Sequence, residues 1–430
     1  MSRPAPVQGC LFDVPPELST VLAAYSDHGK GDSGALTNAQ LYEALQQAGN
    51  DFTDQAARQP VGQAQQSHNL LKRKFRWYQQ TLKTLGLLER DEARRGVWKL
   101  TTKAKEKLTP ATGSAVMLGF STDLGLALWC ASSSAFATLD EPITLCLTSP
   151  PYPLAAPRAY GNPTVAQYTD FVCELLEPIV KHLLPGGSVC LNISNDIFET
   201  QSPARSTYRE RLVIALEDRL GLHKMDELIW ENPSKPPGPL QWASLSRQQL
   251  NTAWEPVYWF TNDPRLCRSD NRRVLQAHTE QHLKLLRQGG EKRSAVFSDG
   301  AYRIREGSFG AQTSGKIPRN ILRFSHVERD KRETVRQAKA QGLPVHGATM
   351  PQALARFLVE FLTKEGDLVV DPCGGWSTTG AAAQACGRRW LTTELMGEYV
   401  LGAANAFAKA PGFEQHGFAP LNHFSRSTGN

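Results

Sequence analysis

The first quarter of the chain carries a hydrophobic pattern of helical period. Apolar residues recur there every three or four positions, a spacing that places them on one face of a helix. They are Leu71, Phe75, Tyr78, Leu82 and Leu85. Lys72, Arg76 and Lys83 fall on another face of the same segment, so the predicted helix is both amphipathic and basic.

Short apolar runs flank this basic helix. A helical pattern from Leu36 to Ala48 precedes it, and the polar stretch between them, Asp51 to His68, predicts a loop or a weak helix. Leu87 to Arg90 and Gly96 to Leu100 follow it as two short strands around a polar turn. Helix, helix and hairpin is the element order of a winged helix, so we predict a winged-helix-like domain over residues 1–112.

Beyond residue 113, apolar strands alternate with amphipathic helices. This alternation predicts an α/β fold, a mainly parallel sheet with helices on both faces. The predicted strands are Ile143–Thr148, Ser188–Ile193, Glu227–Glu231, Glu255–Thr261, Asp367–Val370 and Trp390–Thr393. The predicted helices are Val165–Leu184, Leu212–Leu220, Gln352–Thr363 and Thr378–Cys386. The alternation lapses between Arg265 and Arg305, where basic residues outnumber acidic ones. We therefore expect one domain over residues 113–430 with an insertion at about 262–312.

Composition narrows the class of protein. A length of 430 residues exceeds what one hydrophobic core usually organises. No apolar stretch is long enough to span a bilayer, and Met1 to Val14 lacks the pattern of a secretory signal, so we expect a cytoplasmic protein. The eight cysteines lie far apart, at no zinc-binding or redox spacing, and no metal is expected. The net charge of +6 is mild, but its clustering suits a polyanionic partner.

The sharpest local motif is Ser149-Pro150-Pro151-Tyr152, directly after an apolar strand. The carboxyl ends of parallel strands are where such sheets bind ligands. The two prolines restrict the backbone, so the Ser149 hydroxyl and the Pro150 carbonyl form a rigid pair of acceptors. Such a pair could bind both hydrogens of an exocyclic amino group on a base, with the Tyr152 ring stacked on that base. The alternative is that the tetrapeptide is only a turn.

A second motif runs from Gly366 to Gly380 and predicts a strand, a turn of small residues and the start of a helix. Glycines let a ligand approach the backbone, and the helix amino terminus offers unpaired N–H groups to a carboxylate. Glu394 follows after the next strand, about where Rossmann-type sheets hold a ribose hydroxyl.

With both motifs in this order, the chain resembles the amino-methylating DNA methyltransferases of the permuted, or beta, class. The resemblance spans about residues 115–405. It also includes Arg158–Gly161, Leu183–Gly187, Ile229–Pro233 with Arg247 and Glu255 downstream, Lys316–Ile321 and the stretch from His346. A leading Ser is typical of the cytosine-N4 enzymes, whereas adenine-N6 enzymes usually carry Asp or Asn there.

The resemblance implies a function and a set of site residues. The cofactor would be S-adenosylmethionine, and the chain would methylate cytosine N4 in duplex DNA by flipping the base and by direct in-line transfer. The implied catalytic residues are Ser149, Pro150, Pro151 and Tyr152. The implied cofactor-binding residues are His346, Met350, Asp371, Cys373, Gly375, Ser377, Thr378, Thr379 and Glu394. Two alternatives stay open: an adenine-N6 enzyme, and an inactive DNA-binding regulator on the same fold.

Basic residues are the candidates for contacts with double-stranded DNA. Phosphate contacts supply affinity, and side chains that reach base edges supply sequence discrimination. The predicted DNA-binding residues are Lys72, Arg76, Arg158, Arg247, Arg268, Arg272 and Arg273. The alternative for the insertion is a solvated surface loop, and for the basic helix a protein contact. A cognate restriction endonuclease and a homodimer remain open as partners.

Overall fold

The computed structural model describes most of the chain beyond residue 114 and parts of the segment before it. The described residues are 21, 24–25, 35–47, 52, 58–61, 66–84, 88–91, 94, 96–100, 111, 115–154, 162–341, 343–347 and 349–420. No helix in these ranges is both long and apolar enough to cross a membrane.

The described residues of the N-terminal part include two helices and two small antiparallel sheets. Its elements are β1 (Ala35–Thr37), α1 (Asn38–Gln47), β2 (Arg58–Val61), β3 (Gln66–Asn69), α2 (Leu70–Thr84), β4 (Leu88–Arg90) and β5 (Val97–Leu100). The basic helix is α2, and the predicted hairpin is formed by β4 and β5.

Three residues of the apolar stripe of α2 are buried, as the spacing predicts. Phe75 and Leu82 are fully buried and Tyr78 is 5% exposed. The strands β1, β5 and β4 form one three-stranded sheet, and the winged-helix-like domain stays a prediction.

One prediction for this region was wrong. The stretch Asp51 to His68 was expected to be a loop or a weak helix, but it contains the strands β2 and β3, paired antiparallel. Their sequences, RQPV and QSHN, carry no alternation of apolar and polar residues. The pairing between the two strands fixes their conformation, and a pattern in one strand alone could not reveal it.

The C-terminal part is built on one ten-stranded sheet. Its strands are β6 (Met117–Ser121), β7 (Gly125–Trp129), β8 (Ile143–Thr148), β9 (Leu183–Asn192), β10 (His223–Glu231), β11 (Trp254–Thr261), β14 (Ile321–Arg323), β15 (Leu368–Asp371), β16 (Arg389–Glu394) and β17 (Glu414–Pro420). A separate hairpin is formed by β12 (Ala295–Phe297) and β13 (Tyr302–Ile304).

Among the described residues of this part, eight α-helices accompany the strands. They are α3 (Ser132–Phe136), α4 (Tyr168–Lys181), α5 (Tyr208–Leu220), α6 (Glu280–Arg287), α7 (Arg329–Ala340), α8 (Gln352–Leu362), α9 (Thr378–Ala385) and α10 (Gly397–Ala404). Short helical turns of other types occur at Leu240–Leu245, Asn271–Val274, Ser298–Gly300 and Asn405–Phe407.

The sheet has the order β14-β10-β11-β9-β8-β15-β16-β7-β6-β17. The five central strands, from β9 to β7, are parallel, whereas β11 and β6 run against their neighbours. The predicted α/β fold with a mainly parallel sheet is therefore confirmed. One consequence matters for the site: the central strands all end at the same edge, which we call the carboxyl edge.

The strand β9 begins earlier than predicted. The predicted strand starts at Ser188, but β9 runs from Leu183 to Asn192 and includes Pro185, Gly186 and Gly187. Gly186 has a positive φ of 79°, and the pairing of β8 with β9 shifts register at this point. The glycines therefore form an irregularity inside the strand.

Candidate active site

The two motifs, more than 200 residues apart in sequence, meet at the carboxyl edge. β8 pairs in parallel with β15 through Leu145 with Val369 and Cys146 with Val370. Because both strands end at this edge, Ser149 and Asp371 open into one cavity of about 880 Å³. It is lined by twelve of the predicted catalytic and cofactor-binding residues: Ser149, Pro150, Pro151, Tyr152, His346, Met350, Asp371, Cys373, Gly375, Thr378, Thr379 and Glu394.

At the Ser149 end of the cavity, the Tyr152 hydroxyl is the centre of a hydrogen-bond network. It lies 3.0 Å from Ser149 Oγ, 3.1 Å from Asn192 Oδ1 and 3.3 Å from Glu255 Oε2. Glu255 also binds Lys235, with 3.1 Å between Lys235 Nζ and Glu255 Oε1. Burial, and then the charge of Glu255, raises the pKa of Tyr152 well above its usual value. The phenol therefore stays protonated and can donate a hydrogen bond.

At the other end of the cavity lie the carboxyl groups of Asp371, the last residue of β15, and Glu394, the last residue of β16. The Thr379 hydroxyl donates to Asp371 Oδ2 at 2.8 Å, and the Cys373 backbone N–H donates to Asp371 Oδ1 at 3.0 Å. Glu394 accepts from the backbone N–H groups of Gly375, at 2.7 Å, and Met396, at 2.8 Å. Burial raises the pKa of Asp371 to about 6 and that of Glu394 to about 7. Both groups therefore change charge close to neutral pH.

The turn between β15 and α9 is tightly packed. Gly375 has φ +52°, and a Cβ placed there would lie 3.1 Å from Nε2 of His346. The His346 ring in turn contacts the ring of Tyr399, with 4.6 Å between the centroids. A side chain at position 375 would displace His346 from this wall of the cavity.

Ser377 is the predicted cofactor residue that the structure does not bring to the cavity. Its side chain is 2% exposed and turned inward, with 2.9 Å between Ser377 Oγ and Thr392 Oγ1. Ser377 has φ +53°. The sequence placed this serine in the turn correctly but could not give the direction of its side chain.

Two unusual residues of this turn have physical explanations. Trp376 is 5% exposed and packs in a small cluster with Ala338, Met396 and Tyr399. It has room because Gly402 on α10 lies beside it: a Cβ at Gly402 would come within 2.9 Å of Trp376 Nε1. Burial raises the pKa of Cys373 well above the usual thiol value, so this cysteine is not a thiolate nucleophile.

The donor set suits an adenosine-type cofactor. Two buried carboxyl groups offer acceptors for hydroxyl and amino groups, and the glycine turn allows a ligand to approach the backbone. The volume of about 880 Å³ leaves room for a base beside such a cofactor.

The predicted DNA-binding residues are scattered. On α2, Arg76 is exposed, whereas Lys72 is half-buried with its Nζ 5.3 Å from the centroid of the Tyr42 ring. Arg247 is exposed in the segment between β10 and β11, at the carboxyl edge. Arg158 lies outside the described residues.

Arg268, Arg272 and Arg273 all have partners within the protein, and their contact with DNA stays a prediction. Arg268 binds Asp367, with 3.3 Å between Nη1 and Oδ1, and Asp367 precedes β15 at the edge opposite to the cavity. Arg273 donates to the carbonyls of Glu360, Thr363 and Arg268. Arg272 forms a two-pronged ion pair with Asp270. Arg268 and Arg273 therefore join the start of the insertion to Asp367 and to the end of α8, whereas the side chain of Arg272 is 83% exposed.

Sequence reasoning gave no role to three residues that the structure places at the site. Asn192 ends β9, Glu255 lies near the start of the antiparallel strand β11, and Lys235 follows β10. All three strands reach the carboxyl edge at those points. In the sequence, each of these polar residues lies at or close to the end of a strand. That position indicates a common site only when the order and direction of the strands in the sheet are known.

Comparison with known proteins agrees with this geometry. Residues 143–405 match the DNA methylase family of N6 and N4 methyltransferases, and residues 18–109 match the Mrr N-terminal domain. The type II methyltransferase M.PvuII of Proteus hauseri is 32% identical over 268 residues, covering 62% of this chain and 78% of that protein. M.BglII of Bacillus subtilis is 22% identical over 263 residues, or 61% of this chain and 62% of that protein.

A solved structure, described as the PvuII DNA methyltransferase (cytosine-N4-specific), superposes with a TM-score of 0.53 at 27% identity. It covers 67% of this chain and 87% of that chain. The family match extends over more than half of the present chain and contains both motifs that line the cavity. The chain therefore belongs to the DNA methylase family of N6 and N4 methyltransferases, and its cofactor is S-adenosylmethionine.

Proposed function

We propose that this enzyme methylates cytosine N4 at a specific short site in duplex DNA. The observation that carries the proposal is the single cavity shared by the Ser149–Tyr152 turn and the Asp371–Glu394 turns. One end offers acceptors for an amino group, and the other offers acceptors for the hydroxyl groups of a nucleoside. The preference for cytosine over adenine is supported by Ser149 and by the similarity to a cytosine-N4-specific enzyme.

The chain's own residues bind and orient the two partners. Ser149 Oγ and the Pro150 carbonyl accept the two amino hydrogens, which turns the nitrogen lone pair toward the cofactor end. The ring of Tyr152 lies against the base, and Pro151 keeps this turn rigid. The carboxylates of Asp371 and Glu394 hold the cofactor, along with the wall formed by Cys373, Thr378, Thr379, His346 and Met350. When bound, S-adenosylmethionine supplies the electrophilic methyl group.

The base must leave the helix to enter this cavity, at a cost of about a few kcal/mol. We propose that two surfaces hold the duplex. One is the segment 232–253 at the carboxyl edge, which includes the exposed Arg247. The other is the segment from Gln276 to Lys316, whose two ends pair through an isolated antiparallel β-bridge. Its exposed basic residues are Lys284, Arg287, Lys292, Arg293, Arg303 and Arg305, which suits the target-recognition region predicted at about 262–312.

The remaining assignments are also proposals. The domain over residues 1–112 adds a DNA contact through the exposed face of α2, and the domain over residues 113–430 carries the chemistry. Because the proposed substrate is DNA, we expect the enzyme in the cytosol. The type II names of the relatives support a restriction–modification context, in which a cognate endonuclease and a homodimer are the partners to look for.

The proposal is tested by incubating purified protein with unmodified DNA and S-adenosylmethionine, followed by nuclease digestion and mass spectrometry of the nucleosides. We expect N4-methylcytosine. N6-methyladenine would assign the enzyme to the other branch of its family, and an absence of both bases would favour an inactive regulator.

The matched variant is Ser149→Ala, which removes one hydrogen-bond acceptor and should leave the fold intact. We expect its turnover to fall by about 100-fold or more, with the Kd for S-adenosylmethionine nearly unchanged in a calorimetric titration. An unchanged turnover would remove Ser149 from the proposed site.

A further inference from the structure

The hydrogen bonds around Tyr152 form a continuous path from the amino-binding end of the cavity to a carboxylate. Ser149 Oγ lies 3.0 Å from the Tyr152 hydroxyl, which lies 3.3 Å from Glu255 Oε2. A phenol has one proton, and Asn192 Oδ1 at 3.1 Å and Glu255 Oε2 at 3.3 Å can both accept it, so in either case Ser149 donates to the phenol oxygen. Of these two acceptors, only the Glu255 carboxylate can take up the proton itself. Ser149 then has its lone pairs turned toward the cavity. The path therefore has a direction, from the cavity to Glu255.

The surroundings of Glu255 suit the end of such a path. Lys235 Nζ lies 3.1 Å from Glu255 Oε1, which leaves Oε2 for Tyr152. Asn192 Nδ2 donates to the same Oε2 at 3.4 Å and to the Pro256 carbonyl at 3.3 Å. These contacts fix the position of the Glu255 carboxylate. The side chains of Glu255 and Lys235 are only 17% and 19% exposed to solvent.

Amino methylation produces a proton that must leave. When the amino nitrogen uses its lone pair to bond the methyl carbon, it holds two hydrogens and a positive charge. Loss of one proton restores the neutral methylamino group. Burial keeps Tyr152 a protonated phenol, so it can pass a proton on only by receiving one at the same time.

We propose that Ser149, Tyr152 and Glu255 form a proton relay that removes this proton as the new N–C bond forms. The amino proton goes to Ser149 Oγ, the Ser149 hydroxyl proton goes to Tyr152, and the Tyr152 proton goes to Glu255, which becomes a carboxylic acid. Ser149 and Tyr152 end as they began. The inference rests on the proposed amino methylation, and it assigns Glu255 the role of proton acceptor, acting through the two residues that touch the base.

The test compares Glu255→Gln, which keeps the shape and removes the acceptor, with Tyr152→Phe, which keeps the ring and breaks the path. The matched control is Glu177→Gln, because Glu177 is an exposed carboxylate of α4 that pairs with Lys181 outside the cavity. We expect single-turnover methylation of DNA at saturating S-adenosylmethionine to fall by about 100-fold in the first two variants. The control should keep the wild-type rate. Melting temperature and cofactor Kd show whether each variant is folded.

Two further readouts separate a relay from a structural role. The wild-type rate should fall in D₂O, and this solvent isotope effect should disappear in Tyr152→Phe. Glu255→Asp, which keeps a carboxylate, should recover part of the rate lost in Glu255→Gln. A wild-type rate in Glu255→Gln or Tyr152→Phe, or an Asp variant no faster than the Gln variant, would overturn the relay. Methylation by the wild-type enzyme would still support the proposed function, so the two can fail separately.

Discussion

At the residue scale, the catalytic end of the cavity depends on partners that are remote in sequence. The motif at residues 149–152 predicts a rigid set of acceptors, and the structure adds what holds the tyrosine in place. Asn192 and Glu255 come from strands 40 and 103 residues further along the chain. No local pattern connects them to Tyr152. The adjacency of β8, β9 and β11 in the sheet brings them together.

The two carboxyl groups at the other end make cofactor binding sensitive to pH. The pKa of Glu394 is raised to about 7 and that of Asp371 to about 6. Below these values the folded protein holds the neutral acids, which are poorer acceptors for hydroxyl groups. Because the pKa of Glu394 is higher in the folded protein than in the unfolded chain, ionisation of this group destabilises the cofactor-free fold. The free energy of unfolding therefore falls as pH rises from about 4.5, the ordinary Glu pKa, to about 7.

We therefore predict that the affinity for S-adenosylmethionine falls by about tenfold when pH is lowered from 8 to 6, because Glu394 passes from mostly ionised to mostly neutral. The measurement is a calorimetric titration across this range. The matched variant Glu394→Gln should bind weakly at pH 8 and change little on acidification, with the remaining slope due to Asp371. A wild-type Kd that is constant over these pH values would show that Glu394 does not accept from the cofactor.

At the element scale, the turn from β15 to α9 was predicted in outline and differs in detail. Strand, small-residue turn and helix occur as the pattern of Gly366–Gly380 indicates. The inward direction of Ser377 and the burial of Trp376 could not be predicted, because both depend on residues of other elements: Thr392 on β16 and Gly402 on α10. Similarly, the strand end at Asn192 is recognisable in the sequence, but its neighbour across the sheet is not.

The tight packing of this turn gives a prediction with a built-in control. Gly375→Ala should weaken S-adenosylmethionine binding by about tenfold or more, because its Cβ would meet His346 at 3.1 Å and shift the cavity wall. Gly366 also has a positive φ, +82°, but its Cβ would meet nothing within 4 Å. Gly366→Ala should therefore lower the melting temperature, at a cost of about 1 kcal/mol, and leave the cofactor Kd unchanged. Equal losses of affinity in the two variants would contradict the role given to His346.

At the scale of the whole molecule, the two edges of the sheet have different tasks. The parallel strands direct Ser149, Asp371, Glu394 and Asn192 to the carboxyl edge. The opposite edge holds the start of the insertion through Arg268 and Arg273. The alternation of strands and helices was enough to predict the fold and to bring the two motifs together. The sequence alone could not show that Arg247 lies at the carboxyl edge and Arg268 at the opposite edge. That difference follows from the direction of β11, which is antiparallel to its neighbours and leads the chain away from the cavity.

The central claim is that one cavity holds both the methyl donor and an extruded cytosine. It is tested most directly by a crystal structure of the full chain with S-adenosylhomocysteine and a duplex containing the methylated site. The account predicts the target cytosine outside the helix, with N4 within about 3 Å of Ser149 Oγ and the cofactor product against Asp371 and Glu394. A cytosine still paired in the duplex, or a cofactor product bound outside this cavity, would contradict it.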